Sequence, residues 1–482
     1  MIQNLNNVDN NNNNNNNDNN NDNNNDNNNK NFIGKGSYGC TYFPGMDCSG
    51  KKNKKKYLTK IEEINFYSDN EIKISKIVKK IPKFRNYFCP ILKHCQVTFQ
   101  KLEKSSLELD KCDTLFDDFI SIKKQDKFKH LSYDKKFHKH FEMNKYYLFS
   151  IKFIENTSLK KFFVKINNHT DFFNNFLIIY LHLLNSIYLL NKHNIIHNDL
   201  HYENIIIDNK NNKPIIIDFG LSYNLNKMFN QNNIINLKYL KRFYMDFRED
   251  SYNHNLEKRF ISYITYNKTA NHNINVQSNF EKNNLTKQDI DYFIFDTLQS
   301  IKINEEMAIF FIDKEIDYYK SALEKFYYKY LHKETYKYYT DIVNELLPFV
   351  FEFEDLYKLT IDYLLICYIK QKFIETNINL TLIFNCFIQI IKKVLHPDPY
   401  MRLKFSEINL IIKFIIKKIN NIDITLNDKE KHIYFYTQFD EFIVKNNLSK
   451  NIIFQKDFAY IDFDSILNND VINFIKNTNI EV

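Results

Sequence analysis

The string His197-Asn198-Asp199-Leu200-His201-Tyr202-Glu203-Asn204 and, downstream of it, Asp218-Phe219-Gly220 hold the residue types that phosphoryl transfer requires. Asp199 offers a base for an attacking hydroxyl, while Asn204 and Asp218 offer hard oxygen ligands for a divalent cation. Because such a transfer spreads negative charge over the phosphoryl oxygens, the site must supply cations and oriented donors rather than a covalent nucleophile. Glycine usage points the same way. A chain of this length at average usage would hold roughly 34 glycines. This one has six, three of them in Gly34-Lys35-Gly36-Ser37-Tyr38-Gly39 and a fourth at Gly220. Glycine retained in so glycine-poor a chain marks backbone that approaches a ligand or adopts positive φ.

The elements that must position these residues follow from period and punctuation. Phe32-Ile33 leads into the glycine stretch and Thr41-Tyr42-Phe43 leads out of it, which predicts a β-hairpin rather than the strand-to-helix turn of a dinucleotide site. A turn with Pro44, Gly45, Gly50 and the lysines Lys51, Lys52, Lys54, Lys55 and Lys56 comes before another strand, Tyr57-Leu58-Thr59-Lys60-Ile61. The lysine run reads as a solvated turn. From Ser68-Asp69 the spacing of Ile72, Ile74, Ile77, Val78 and Ile81 predicts a helix that stops before Pro82, capped by Ser68 or Asp69, with Glu71 in its first turn. Strand-like runs from Cys95 to Phe99 and from Tyr146 to Phe153 flank a lysine-rich stretch, about 100–145, that reads as an insertion. A mostly buried helix is expected over 172–190. Ile205-Ile206-Ile207 and Ile215-Ile216-Ile217 predict a hairpin around the turn Asp208 to Pro214, bringing Asn204 and Asp218 to one end. Beyond it the chain reads as mainly helical, with an apolar segment opening at Asp355, then Asp398-Pro399-Tyr400-Met401-Arg402, then an amphipathic helix over 405–419.

Composition narrows the class. The asparagine-rich residues 1–31 bury too little apolar surface to offset the entropy of ordering them and are expected to be disordered. With 44% hydrophobic and 26% charged residues the rest reads as a soluble globular protein. The best candidate for a membrane span, Phe172 to Leu190, contains Asn174, Asn175, His182, Asn185 and Ser186 and so reads as a buried helix. The N-terminus lacks a basic stretch followed by an apolar one, so no secretory signal is expected and the chain is expected to stay inside a cell, in the cytoplasm. Seven irregularly spaced cysteines give no disulfide framework and are expected to be reduced thiols. Cys40, Cys48, His94 and Cys95 match no zinc spacing. The aromatic residues, 16% of the chain, read as core rather than a base-stacking surface, and no specific nucleic-acid binding is expected.

Residues 32–420 resemble the eukaryotic-type protein kinases in the glycine hairpin, the strand lysine, the His-Asn-Asp string and Asp-Phe-Gly. The resemblance implies an α+β fold of two lobes: a small antiparallel β N-lobe over about 32–155 and a larger, mainly helical C-lobe over about 156–420. It also implies insertions near 100–145 and 265–345, and leaves an extension of unknown role at 421–482. The cofactors it implies are ATP and Mg²⁺. Gly34, Lys35, Gly36, Ser37, Tyr38 and Gly39 would cover the phosphates, and Lys60 would contact them while pairing with Glu71. Asp199 would be the base, with Asn204 and Asp218 holding Mg²⁺; Asp355 would support the catalytic loop, and Arg402 would pair with a glutamate, for which Glu257 is the candidate.

The chain departs from the family at three points. Asn198 replaces the usual arginine, His201 replaces the lysine usual in serine/threonine kinases, where it would steady the transferring phosphate, and no Ala-Pro-Glu motif is present. Such divergence resembles the kinases of large DNA viruses. The activity expected is ATP-dependent transfer to serine or threonine hydroxyls of a protein substrate. A catalytically inactive kinase-fold scaffold and a small-molecule kinase of the aminoglycoside or choline type are the alternatives. The second is suggested by the His-x-Asp-x-His pattern, and the glycine hairpin and Asp398-Pro399-x-x-Arg402 stand against it.

Overall fold

The computed structural model describes residues 31–116, 144–229, 235–244, 254–267, 283–303, 313–419 and parts of 438–446, apart from Ser37, 53–55 and Ser106. The tail over 1–31 therefore lies outside the described residues except for Asn31, as do 117–143 of the first insertion, 268–282 and 304–312 of the second, and nearly all of 421–482.

The first part is an antiparallel five-stranded sheet in the order β1-β2-β3-β5-β4. Its strands are β1 (Phe32–Lys35), β2 (Gly39–Tyr42), β3 (Tyr57–Glu63), β4 (Lys93–Thr98) and β5 (Lys145–Lys152). Lys60 lies mid-strand in β3, opposite Thr41 of β2 and Phe149 of β5. Helix α1 (Phe66–Val78) follows β3 and is capped by Asn65, whose side chain accepts from the amides of Tyr67 and Ser68. The cap expected at Ser68 or Asp69 is thus displaced. Asparagine is among the strongest N-caps, and Ser68 instead closes the capping box by accepting from the Asn65 amide.

Helix α2 (Phe99–Glu103) and the residues after it fold against the sheet, burying Phe99, Leu102, Leu109, Cys112 and Phe116 with Cys40, Tyr42, Ile61 and Tyr146. Two disulfides secure this layer, Cys40–Cys112 and Cys48–Cys95. The expectation of seven reduced thiols is overturned for these four, because each bond joins a sheet strand, β2 or β4, to a residue outside the strands that tertiary packing brings beside it. Cys89, Cys367 and Cys386 are free and buried.

Next come β6 (Asn156–Ser158), α3 (Leu159–Lys165), α4 (His169–Lys192), β7 (Ile195–Ile196), β8 (Ile205–Asp208), β9 (Lys213–Ile216) and β10 (Tyr223–Asn224). Strands β6, β8 and β9 form a small sheet in that order. Pro214, expected in the turn, is a residue of β9 paired with Ile207. β9 is the edge strand, where a missing N–H leaves no ladder bond broken. Helix α4 is the one described helix long and apolar enough to cross a membrane, but Phe172, Phe176, Tyr180, Leu183, Ile187 and Leu190 are buried within the fold. Burying each such side chain contributes about 1.5–3 kcal/mol.

The remaining described helices are α5 (Leu237–Tyr244), α6 (Leu256–Asn267), α7 (Lys287–Ile303), α8 (Asp313–Tyr327), α9 (Tyr339–Ile369), α10 (Gln371–Glu375), α11 (Ile378–Val394) and α12 (Phe405–Ile419). The apolar segment expected to open at Asp355 belongs to α9, which begins at Tyr339 and runs through Pro348. Pro348 is exposed, so the carbonyl it leaves unpaired faces water, and the helix continues. One large core joins α4, α6, α9, α11 and α12 beneath the small sheet. Within it α9 carries the buried charged residues Glu354, Asp355 and Lys358, which an apolar helix retains only where they have partners.

Candidate active site

The string 197–204 runs between β7 and β8. Its first two amides are pinned from below, with His197 N–H donating to Asp355 Oδ2 at 2.7 Å and Asn198 N–H to Asp355 Oδ1 at 2.9 Å. The His197 ring meets the Ile217 carbonyl at 2.9 Å, so this histidine ties the loop to the residue before Asp218. Asn198 takes φ 65° and Asp218 φ 60°. Asparagine and aspartate accept the left-handed region more readily than other non-glycine residues, because their short polar side chains bond locally.

Pairing of Ile205 with Ile216 and a bond from Ile217 N–H to Asn204 O at 3.0 Å bring Asn204 and Asp218 to the same end of the β8–β9 hairpin. Asn204 Nδ2 donates to Asp199 O at 2.8 Å and to Asp199 Oδ2 at 3.1 Å. His201 Nε2 lies 3.1 Å from Asn204 Nδ2 and 3.8 Å from Asp199 Oδ2. Burial lowers the His201 pKa below the ordinary imidazole value, so its ring is neutral at pH 7. Asp199, His201 and Asn204 therefore form one cluster, with the Asp199 carboxylate partly open to solvent.

On the sheet side, Lys60 Nζ meets three carboxylates: Glu62 Oε1 at 2.6 Å, Asp218 Oδ2 at 3.1 Å and Glu71 Oε2 at 3.2 Å. Burial disfavours the lysine charge, yet Asp218, Glu71 and Glu62 together hold its pKa well above the usual value. Burial pushes Glu71 up to about 8 against the pull of Lys60, and Asp218 and Glu62 add to that rise. Burial also raises Glu62. For Asp218, burial is outweighed by Lys60 and by the Gly220 amide, and its pKa falls. Asn70 of α1 donates to the carbonyls of Gly220, at 3.3 Å, and Ser222, at 2.5 Å, which fixes the helix bearing Glu71 to the Asp-Phe-Gly segment.

The glycine hairpin lies over this end. Gly36 N–H donates to Gly39 O at 2.8 Å. A Cβ on Gly39 would stand 2.1 Å from Ile61 O and 2.8 Å from Glu62 Cγ, so only glycine fits there. Of the other residues expected to cover phosphates, Gly34 is in β1 and Tyr38 is exposed, its ring 5.5 Å from that of Tyr67. Ser37 lies outside the described residues. Lys35 is turned to Asp113 at 2.7 Å. Arg402 and Glu257 form the expected pair, a buried two-pronged ion pair at 2.8 Å on each arm.

A family model described as protein tyrosine and serine/threonine kinase matches residues 116–242, the stretch holding Asp199, Asn204 and Asp218. That stretch of the chain is similar to the protein kinase family. Among solved structures, this chain is similar to kinase PK-1 of Cydia pomonella granulovirus. Identity is 16%, over 38% of this chain and 48% of that one, with a TM-score of 0.23. The likeness spans about half the length of that protein. No curated protein matches.

Two features of this site escaped the sequence reading. The first is Glu62: only Glu71 was expected to pair with Lys60, yet residues two apart on a strand point to one face and can meet. A buried cluster of His254, Lys258, Glu354 and Lys358 closes around Asn198. Its sequence trace is the charged set Glu354, Asp355 and Lys358 inside an apolar helix.

Proposed function

We propose that this chain is an ATP-dependent protein kinase that transfers the γ-phosphate to serine or threonine hydroxyls, with the sheet part and the helical part as its two lobes. The observation that carries the reading is the junction at Asp218. One carboxylate oxygen bonds Lys60, itself paired with Glu71, while the hairpin holds Asn204 and Asp199 at the same end. Residues distant in sequence thus assemble a base, a cation and two oxygen ligands around one space.

In this reading the Asp199 carboxylate orients and deprotonates the acceptor hydroxyl, and Lys60 meets the α and β phosphates. Asn204, through Oδ1 because its nitrogen is engaged, and Asp218 suit Mg²⁺, which takes few protein ligands when phosphates complete its shell. Mg²⁺, when bound, neutralises charge on the phosphate oxygens. Neutral His201 steadies the transferred phosphate as a hydrogen-bond donor, and the glycine hairpin offers backbone amides to the nucleotide.

The test is transfer of labelled γ-phosphate from MgATP to mixed proteins and to a panel of amino alcohols and aminoglycosides, with Asp199→Asn alongside. Label on protein serine or threonine that is lost in the variant supports the reading. Label confined to small molecules, or on tyrosine, replaces it, and no label despite MgATP binding makes the chain a scaffold.

A further inference from the structure

Asn198 stands next to the base, and each of its polar atoms is engaged by buried partners. Its N–H donates to Asp355, its carbonyl accepts from Lys358 Nζ at 2.6 Å, its Nδ2 donates to Leu221 O at 3.1 Å, and its Oδ1 accepts from Lys258 Nζ. The Leu221 bond joins the catalytic loop to the segment leaving Asp-Phe-Gly. Lys258 comes from the other end of that segment, at the start of α6, one residue after Glu257. Its ammonium lies 3.4 Å from Glu354 Oε1 and 3.0 Å from His254 Nδ1. Glu354 in turn accepts from the Asn255 amide at 3.0 Å and lies against His254 Nδ1 and 3.8 Å from Lys358 Nζ.

The cluster is closed and balanced. Two ammonium groups, Lys258 and Lys358, face two carboxylates, Glu354 and Asp355, all of them buried. Burial, and after it the two lysine charges, brings the His254 pKa down to about 3, so this ring adds no charge. A buried cation with such partners is costly to assemble and is lost as a unit if one member is removed.

We propose that Lys258 is a positioning residue of the transfer site. Its ammonium, clamped between Glu354 and the Asn198 side chain, holds the catalytic loop in working geometry, so the site needs no phosphate on the segment between Gly220 and Lys258. The proposal rests on the kinase reading for its effect on turnover, but its structural half stands apart. The hydrogen-bonding capacity of Asn198 is filled from inside the protein, and the cation that an added phosphate would otherwise recruit is already buried and paired.

Lys258 is faced by Glu354, Asp355 and Lys358 from α9, by His254 ahead of its own helix, and by the Tyr244 ring of α5 at 5.7 Å, whose hydroxyl bonds that of Tyr223. Burial, and then the Lys358 charge, lowers its pKa to about 8 against the pull of Glu354 and Asp355. The clamp therefore loses its charge as pH rises through that value, and turnover falls with it. Arginine keeps its charge there.

The experiment compares the full chain, treated with phosphatase, with Lys258→Met and Lys258→Arg. Treated wild type is expected to keep its turnover. Lys258→Met is expected to lose about 10²-fold in kcat, the scale of a misplaced catalytic group, with KM for MgATP changed less than about twofold. Lys258→Arg should recover most of kcat and move the alkaline limb of the pH profile upward. Amide exchange over 197–204 should quicken in Lys258→Met while β3 and β5 stay protected. Wild-type kcat in Lys258→Met, or loss of turnover on phosphatase treatment, overturns the proposal. Should Lys258→Met not fold, an alkaline limb unmoved in Lys258→Arg overturns it. A wild type that transfers nothing sinks the kinase reading alone, and the exchange of 197–204 still decides the role of Lys258, unchanged rates rejecting it.

Discussion

The two ends of the site are built on opposite electrostatic plans. At the loop 197–204, buried cations and carboxylates are matched, and the backbone of His197 and Asn198, just ahead of Asp199, is pinned from α9. At the sheet end a single ammonium, Lys60, is shared by Glu62, Glu71 and Asp218. One end is matched, while at the other three carboxyl groups crowd one ammonium. In the proposed reading the difference suits the two tasks, since a base must be held still, whereas a nucleotide end must exchange internal partners for phosphate and a cation.

The sharpest way to break this comparison is Asp199→Asn. The contacts that hold the loop are to backbone and to Asn198, so the substitution should leave the fold and MgATP affinity intact. The base is lost, and kcat should drop by about 10³-fold. Calorimetry with MgATP and single-turnover transfer check it, and near wild-type turnover would remove Asp199 from the base role. Next in size is Asp355→Ala, which strips two buried amides of their acceptor. With each unsatisfied donor costing about 1–3 kcal/mol, stability should fall by about 3 kcal/mol in urea unfolding. A smaller loss would mean that the loop is held mainly by Lys358 and Lys258.

At the sheet end, Cys112→Ser opens the bond that ties β2 to the layer packed on the sheet. Stability should fall by about 2 kcal/mol, toward the low end for a native disulfide because Lys35–Asp113 and the buried aromatic contacts remain. KM for ATP should rise more than kcat falls, since the bond touches the hairpin and not the loop. An equal effect of Cys48→Ser on KM would show that general loosening, not the hairpin tie, is being measured.

How far the sequence spoke depended on distance along the chain. Asp199, Asn204 and Asp218 were legible because one short hairpin sets their relation, and the β8–β9 strands announce themselves through runs of isoleucine. Lys60 with Glu71 was legible as a strand followed by a helix. Glu62 was missed although its two-residue spacing on β3 placed it on the lysine's face. Lys258 and Glu354 were beyond reach, because they meet only after helices α6 and α9 pack. The disulfides were hidden for the same reason, since their partners stand 72 and 47 residues apart and meet only once the segments outside the strands pack on the sheet.

Glu62→Gln tests whether the acidic excess at Lys60 is a working feature. Glutamine keeps the size of the side chain and a hydrogen-bond acceptor for the ammonium, but removes one of the carboxyl groups that compete with phosphate for it. MgATP should then bind about threefold more tightly, the change expected from relieving one partly screened like-charge contact. The pH behaviour of the nucleotide-free protein gives a second reading. Glu71 ionises near 8 when folded and near 4.5 when unfolded, so the folded state holds the extra proton across that interval. Stability is accordingly full below about pH 4.5 and declines as pH rises toward about 8, where the folded carboxyl finally ionises. Because Glu62 helps to raise Glu71, its neutral replacement should lower that upper value and shrink the decline in Tm between pH 5 and 8. Unchanged affinity together with an unchanged Tm slope would mean that Glu62 is neutralised already and that the sheet end is no more acidic than the loop.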